Sequence, residues 1–130
     1  MDARDYPHVE LTATVIGAFY ETYTTLGFGF LESVYENALA IQLELCGLSF
    51  ERQRSIDVRY RGRVVGEFRA DIVIEERVLV EIKAASALLP AHDAQLINYL
   101  KGTGLHLGLL LNFDPRAQVR RRIFRPASIS

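Results

Sequence analysis

The chain is poor in the residues that define several classes of small protein. Its 130 residues include no tryptophan, one methionine and a single cysteine, Cys46. One cysteine excludes an intramolecular disulfide and a zinc site built from cysteines. No run approaches the roughly 18 apolar residues that a membrane span requires. The first residues lack the basic-then-apolar layout of a signal peptide, so we expect a cytoplasmic protein with no membrane partner.

The chain also lacks an excess of basic charge. Fifteen Lys and Arg residues stand against sixteen Asp and Glu residues, for a net charge of −1. That balance argues against a protein that coats nucleic acid by bulk charge alone. The arginines nevertheless cluster in residues 52–63 and 116–125, and the run Arg120, Arg121 and Arg122 is a candidate for binding a phosphate backbone. A solvated strand face explains each cluster equally well.

The remaining composition, 49% hydrophobic and 24% charged, is that of a folded globular protein. We expect one domain over residues 1–130. Apolar spacing predicts helices over about residues 8–25, 31–46 and 90–103. Alternating or continuous apolar runs predict strands over about residues 50–60, 64–74, 78–83, 105–112 and 119–124. The order α-α-β-β-β-α-β, with a final edge strand, predicts an α/β protein with helices packed on a sheet.

The middle of the chain has the pattern of a β-hairpin. Residues 68–74 and 78–83 alternate as strands, with Phe68, Ala70, Ile72 and Ile74 expected on one face of the first, and the break at residues 75–77 is short enough only for a tight turn. A three-residue loop pairs Ile74 with Val78, Val73 with Leu79, Asp71 with Glu81 and Arg69 with Lys83. The carboxylates of Asp71 and Glu81 are then expected side by side on one sheet surface.

Two adjacent carboxylates repel each other unless something neutralises them. A divalent cation is the first candidate, since hard oxygen ligands suit Mg²⁺ or Mn²⁺. Lys83 would lie about 6.6 Å along the strand from Glu81 and is one of only two lysines among the fifteen basic residues. The alternative is a solvated strand face, on which an acid followed two residues later by lysine is common.

Polar residues on two helices are further candidates. Glu32 lies in the first turn of the second helix, a position that the helix macrodipole favours for any acid. Gln95 and Tyr99 are four residues apart and meet on one face of the third helix, although such a pair is also ordinary at a helix boundary. His92, one turn earlier, is interpreted as a cap or surface residue and not as a ligand.

These residues together resemble the PD-(D/E)xK nuclease superfamily and, more narrowly, its GxxExxY proteins. Residues 29–35, Gly-Phe-Leu-Glu-Ser-Val-Tyr, carry the GxxExxY motif. Asp71 and the run Glu81-Ile82-Lys83 match the wider motif, and residues 95–99 are similar to a QxxxY element. Ala70 stands where the family name has proline. The resemblance covers roughly residues 8–125.

The resemblance implies a central mixed sheet flanked by helices, and a metal-dependent nuclease that hydrolyses phosphodiester bonds. Mg²⁺ or Mn²⁺ would be held by Glu32, Asp71, Glu81 and the carbonyl of Ile82. Lys83 would orient or deprotonate the attacking water, or neutralise developing phosphate charge. Gln95 and Tyr99 would position the site or contact nucleic acid, with DNA expected over RNA.

A chain of this length leaves no separate domain for reading bases. We therefore expect little intrinsic sequence specificity, and a homodimer or a partner protein that supplies targeting. The alternative function is a catalytically silent nucleic-acid-binding or assembly module on the same fold. A purely structural carboxylate cluster that binds no divalent cation is the third interpretation.

Overall fold

The computed structural model describes residues 7–125. Its elements in chain order are α1 (Val9–Leu26), α2 (Glu32–Leu45), β1 (Phe50–Tyr60), β2 (Arg63–Ile74), β3 (Val78–Lys83), α3 (Pro90–Thr103), β4 (Leu107–Asn112) and β5 (Gln118–Ile123). The predicted order is confirmed, and every predicted boundary falls within two residues of these. Among residues 7–125, no helix is long and apolar enough to cross a membrane.

The five strands form one mixed sheet in the order β1-β2-β3-β4-β5. Neighbouring strands are antiparallel except β3 and β4, which are parallel. Parallel neighbours need a crossover connection, and α3 supplies it. The α/β fold with a mixed sheet flanked by helices is therefore confirmed, and β5 is an edge strand as expected.

Helices cover both faces of the sheet, with a separate apolar core under each. The core beneath α1 and α2 includes the large buried side chains Phe19, Tyr35 and Phe113. The core beneath α3 is smaller and contains Leu96 from that helix. A Cβ built on Gly108 of β4 would lie 2.7 Å from Leu96 Cδ1, so α3 packs closely against the sheet only because that position is glycine.

The hairpin between β2 and β3 confirms part of the predicted register and corrects the rest. Its ladder pairs Ile74 with Val78, Val73 with Leu79 and Ile72 with Val80, and ends there. The predicted backbone pairs of Asp71 with Glu81 and of Arg69 with Lys83 are not part of the ladder. The two strands separate just before the polar residues, because a side chain takes the place of the next backbone bond, as described below.

The two faces of β2 exchange at Asp71. Ala70 packs into the core beneath α3, whereas Ile72 packs into the core beneath α1 and α2. The prediction that the even-numbered apolar residues of 68–74 share one face is therefore wrong. Its cause is local: Gln53 of β1 and Asp71 are not paired in the β1–β2 ladder, and Gln53 has a left-handed φ of 52°.

Candidate active site

The acidic pair lies where β2 and β3 separate. Glu81 is 4% exposed, and Asp71 is half-buried. Oδ2 of Asp71 accepts a hydrogen bond of 2.7 Å from the backbone N–H of Ile82. This side-chain bond replaces the missing backbone pairing and holds the Asp71 carboxylate against Glu81. The predicted proximity is therefore present, although a side chain and not the sheet register produces it.

Burial and the neighbouring carboxylate change the protonation of Glu81. Desolvation is the largest cause, followed by a hydrogen bond to Asp71 and the negative charge of Asp71, and together they raise the Glu81 pKa from 4.5 to about 10. The positive charge of Lys83 acts in the opposite direction and is too weak to prevent the rise. In the metal-free protein at neutral pH, the Glu81 carboxyl therefore holds a proton.

One oxygen of Glu81 has no protein partner. Oε1 is buried and accepts no hydrogen bond within the described part of the chain. Buried polar atoms are nearly always satisfied, so an orphaned carboxyl oxygen calls for a ligand or a water. The Asp71 carboxylate adjoins it, and hard oxygen donors in this arrangement suit a divalent cation. The residues present thus fit a metal site formed by two acids.

Lys83 belongs to a hydrogen-bonded chain that ends on α3. Its Nζ lies 3.3 Å from Oε1 of Gln95, and Nε2 of Gln95 donates to the Tyr99 hydroxyl at 3.0 Å. Tyr99 is buried, and its pKa is raised by desolvation first and then by the negative charges of Glu81 and Asp71. The structure therefore brings all five predicted side chains of the sheet and α3 to one place.

Glu32 does not join this cluster. It is the exposed first residue of α2, and residues 7–125 hold no group of three His, Cys, Asp or Glu side chains that could bind a metal ion. Glu36, one turn later on the same helical face, reaches the site indirectly. Nε2 of Gln53 lies 2.8 Å from Oε1 of Glu36 and 3.4 Å from Oδ1 of Asp71. The contact of α2 with Asp71 is therefore made by Glu36 through an intervening amide.

This relay fixes the orientation of the Asp71 carboxylate and was not predicted from the sequence. Oδ1 is held by Gln53 and Oδ2 by the Ile82 amide. Glu36 is held in turn by Arg52, whose Nε and Nη2 lie 3.0 and 2.8 Å from its Oε2. The four-residue spacing from Glu32 was a usable signal for Glu36. No sequence pattern marks Gln53, because its role depends on the left-handed backbone there.

Asn112 fixes the chain that follows Lys83, and this role too was not predicted from the sequence. Its side chain is buried, accepts from the backbone N–H of Ala85 at 3.0 Å and donates to the Ala85 carbonyl at 2.8 Å. The N–H of Phe113 donates to the Lys83 carbonyl at 2.9 Å. Both ends of this short segment are therefore anchored to β4, which limits movement of Lys83.

The arginine run on β5 is engaged within the protein. Arg120 and Arg122 each place a guanidinium nitrogen 2.8 Å from the carboxylate of Asp93 on α3. All three arginines of the run are half-buried. The run therefore ties β5 to α3 and does not present three free cations to solvent.

At the start of α3, Nδ1 of His92 accepts a hydrogen bond of 3.0 Å from the Leu89 N–H, which confirms the interpretation of His92 as a cap.

A pocket of about 600 Å³ lies at the carboxyl ends of the parallel strands β3 and β4, and its lining does not include Asp71, Glu81 or Lys83. Its lining residues are Ser86, Ala87, Leu88, Asn112, Pro115, Arg116, Ala117, Gln118 and Arg120. The described lining contains two arginines and no acidic residue. Ligands often bind at this end of parallel strands, and Arg116 favours an anion there, whereas Asp93 offsets the charge of Arg120.

The mixed sheet, the buried acid pair and the adjacent lysine define a nuclease-like protein with a candidate metal site. The chain belongs to the PD-(D/E)XK nuclease superfamily, whose family model matches residues 9–123. The crystal structure of SSO0001 has a similar fold, with a TM-score of 0.58 and 21% identity over 70% of this chain. The matched part spans 48% of SSO0001, about half its length. No curated protein matches this chain significantly.

Proposed function

We propose that the protein is a Mg²⁺- or Mn²⁺-dependent nuclease that hydrolyses phosphodiester bonds, in DNA rather than RNA, with little sequence specificity. The observation that carries the proposal is the buried Glu81 carboxyl, with an orphaned oxygen, beside the fixed carboxylate of Asp71. Membership of a nuclease superfamily supports the same reaction. Within that superfamily, we further propose that the chain is a GxxExxY protein.

Asp71 and Glu81 would hold the cation, with the carbonyl of Ile82 as a further ligand. A bound divalent cation lowers the pKa of its water and stabilises negative charge on the phosphate. Two carboxylates suffice for Mg²⁺, which usually keeps several waters and takes phosphate oxygens of the substrate. A third acid from α2 is therefore not needed, and we propose Glu36 in place of Glu32 as the supporting acid.

The remaining residues act on protons and on substrate charge. Glu81 must release its proton when it becomes a ligand, because only the carboxylate binds a cation well. Lys83, whose Nζ lies 3.3 Å from the Gln95 carbonyl oxygen, would orient water or neutralise phosphate charge with its ammonium group. Tyr99 stays protonated at neutral pH, and its hydroxyl keeps Gln95 in the orientation that accepts from Lys83.

Substitution of Lys83 is the direct test of this proposal. Labelled single- and double-stranded DNA and RNA would be incubated with Mg²⁺, with Mn²⁺ and with chelator. We expect cleavage of DNA that requires metal and falls by about 10²-fold or more in Lys83→Ala. Lys101→Ala, which removes the only other lysine, is the matched control and should cleave at the wild-type rate. Equal cleavage rates for Lys83→Ala and Lys101→Ala would show that Lys83 has no catalytic role.

A catalytically silent module is the second candidate, favoured by the absence of a third metal-binding acid within residues 7–125. It would bind nucleic acid without turnover in any of the metal conditions. Isothermal titration with Mn²⁺ separates the two interpretations from a purely structural cluster, which would bind no cation in either wild type or Glu81→Gln.

We also propose that targeting comes from a homodimer or a partner protein, which light scattering and co-purification would test.

We propose that the arginine run on β5 contributes to nucleic-acid binding only in part. Arg120 and Arg122 share the charge of Asp93, so the three side chains carry fewer effective positive charges than the sequence suggests. Each phosphate contact contributes a slope of about one in a plot of log affinity against log salt. Replacing all three arginines should therefore lower that slope by about two, not three. An unchanged slope would show that the run serves only the fold.

A further inference from the structure

Three large apolar side chains are exposed in the loop between α1 and α2. Phe28, Phe30 and Leu31 are 67%, 45% and 76% exposed. Apolar residues exposed singly need no explanation, but three within four consecutive positions form a patch. Gly27 and Gly29 flank the first phenylalanine with φ of 71° and 103°, values that glycine adopts without strain. We call residues 27–31 the aromatic loop.

Tyr35 holds the aromatic loop in a fixed shape. Its buried hydroxyl donates to the Gly27 carbonyl at 2.6 Å and accepts from the Phe30 N–H at 3.3 Å. The rings of Phe30 and Tyr35 meet edge to face, with centroids 6.0 Å apart. The loop backbone and the Phe30 ring are therefore preorganised, which lowers the entropy lost when a ligand binds.

Two sets of contacts connect the start of α2, which follows this loop, to the candidate active site. The Tyr35 ring stacks on Phe113 at 4.3 Å, and the Phe113 amide donates to the Lys83 carbonyl. Glu36, the residue after Tyr35, is joined to Asp71 through one intervening amide. The helix that the loop precedes is thus linked to the Lys83 backbone through Phe113 and to the Asp71 side chain through Gln53.

We propose that the aromatic loop stacks unpaired bases of a single-stranded nucleic acid whose backbone enters the candidate active site. Aromatic rings accept any base, because every base has a π-face, whereas the bases of a duplex are already stacked on one another. Exposed Arg116 supplies nearby positive charge, since the Tyr23 hydroxyl ties the end of α1 to the Pro115 carbonyl at 2.9 Å. This inference rests on the proposed function and selects its substrate.

A tryptophan placed in the loop reports stacking directly, because the chain contains no other tryptophan. Phe28→Trp would be titrated with oligo-dT and with a duplex of equal length, in a Lys83→Ala background with Mg²⁺ so that bound strands stay intact. Oligo-dT should quench the fluorescence of the introduced indole, and the duplex should quench it far less. Leu45→Trp, at the far end of α2 and 75% exposed, is the matched control and should stay unquenched.

Affinity provides the second readout. Phe28→Ala and Phe30→Ala should each weaken oligo-dT binding about tenfold by fluorescence anisotropy, whereas Leu45→Ala should bind as wild type. Oligo-dT that binds without quenching the indole, or binds Phe28→Ala as tightly as wild type, overturns the inference and assigns the loop to a protein partner. If DNA is cleaved normally in that case, the proposed function stands. A wild type that binds no nucleic acid overturns both.

Discussion

The buried Glu81 carboxyl leads us to expect that the metal-free protein becomes less stable as pH rises. Its pKa is raised from 4.5 to about 10 by burial and by Asp71, whereas the unfolded chain keeps the lower value. Between these values the folded state holds one proton more than the unfolded state, so the free energy of unfolding falls with increasing pH. The stabilising contribution is complete below about pH 4.5 and is lost as pH approaches 10.

One proton sets the magnitude of this effect. A difference of one bound proton changes the free energy of unfolding by at most about 1.4 kcal/mol per pH unit. From pH 6 to pH 8 the loss attributable to Glu81 is therefore about 2–3 kcal/mol at most. For a domain of this size, that loss lowers the melting temperature by on the order of 10 °C.

Glu81→Gln isolates the contribution of Glu81 to the pH dependence of the free energy of unfolding, because glutamine has the shape of the protonated acid and does not titrate. Thermal melts with chelator at pH 6, 7 and 8 should show the variant more stable than wild type already at pH 6, with an advantage that grows by up to about 1.4 kcal/mol per pH unit. Glu44→Gln, on the exposed face of α2, is the control and should follow wild type. Mn²⁺ at a hundredfold excess over its Kd should restore about 2.7 kcal/mol to wild type and little to Glu81→Gln. Equal pH slopes for the two proteins would refute a protonated Glu81.

Three further changes test other parts of the structure. Gln53→Ala should weaken Mn²⁺ binding several-fold by calorimetry without altering the melting temperature in chelator, whereas Gln42→Ala should change neither property. Equal Mn²⁺ affinities for Gln53→Ala and wild type would contradict the relay to Asp71. Gly108→Ala places a Cβ 2.7 Å from Leu96 Cδ1 and should cost about 1–3 kcal/mol in urea unfolding, so an unshifted midpoint would show that α3 moves freely. Asp93→Asn releases two arginines of β5 and should steepen the salt dependence of nucleic-acid binding; a constant slope would exclude them from the interface.

Much of the fold could be predicted because its signals are local. Alternation over residues 68–74 and 78–83, with a short break, specified the hairpin and the register of the three pairs nearest its turn. The four-residue spacing of Gln95 and Tyr99 placed both on one side of α3, where they form the predicted pair. Periodicity is a property of neighbouring residues, so no knowledge of tertiary packing was needed.

The errors arose where tertiary packing selects among local possibilities. Helical spacing puts Glu32 and Glu36 on the same face of α2, and only the packing of that helix against the sheet decides which one reaches Gln53. The exchange of faces at Asp71 depends on the left-handed conformation of Gln53, which a non-glycine residue adopts infrequently. A strict period-2 pattern cannot reveal such a change.

The hydrogen bond from the Ile82 amide to Asp71 has a consequence for how loss of activity is interpreted. Asp71 serves as a structural bond between two strands as well as a candidate metal ligand, so its removal leaves a backbone donor unsatisfied at the centre of the sheet. An inactive Asp71→Ala protein would therefore confound misfolding with loss of chemistry. Variants at Lys83, whose side chain lies at the solvent boundary, report on chemistry with far less disturbance of the fold.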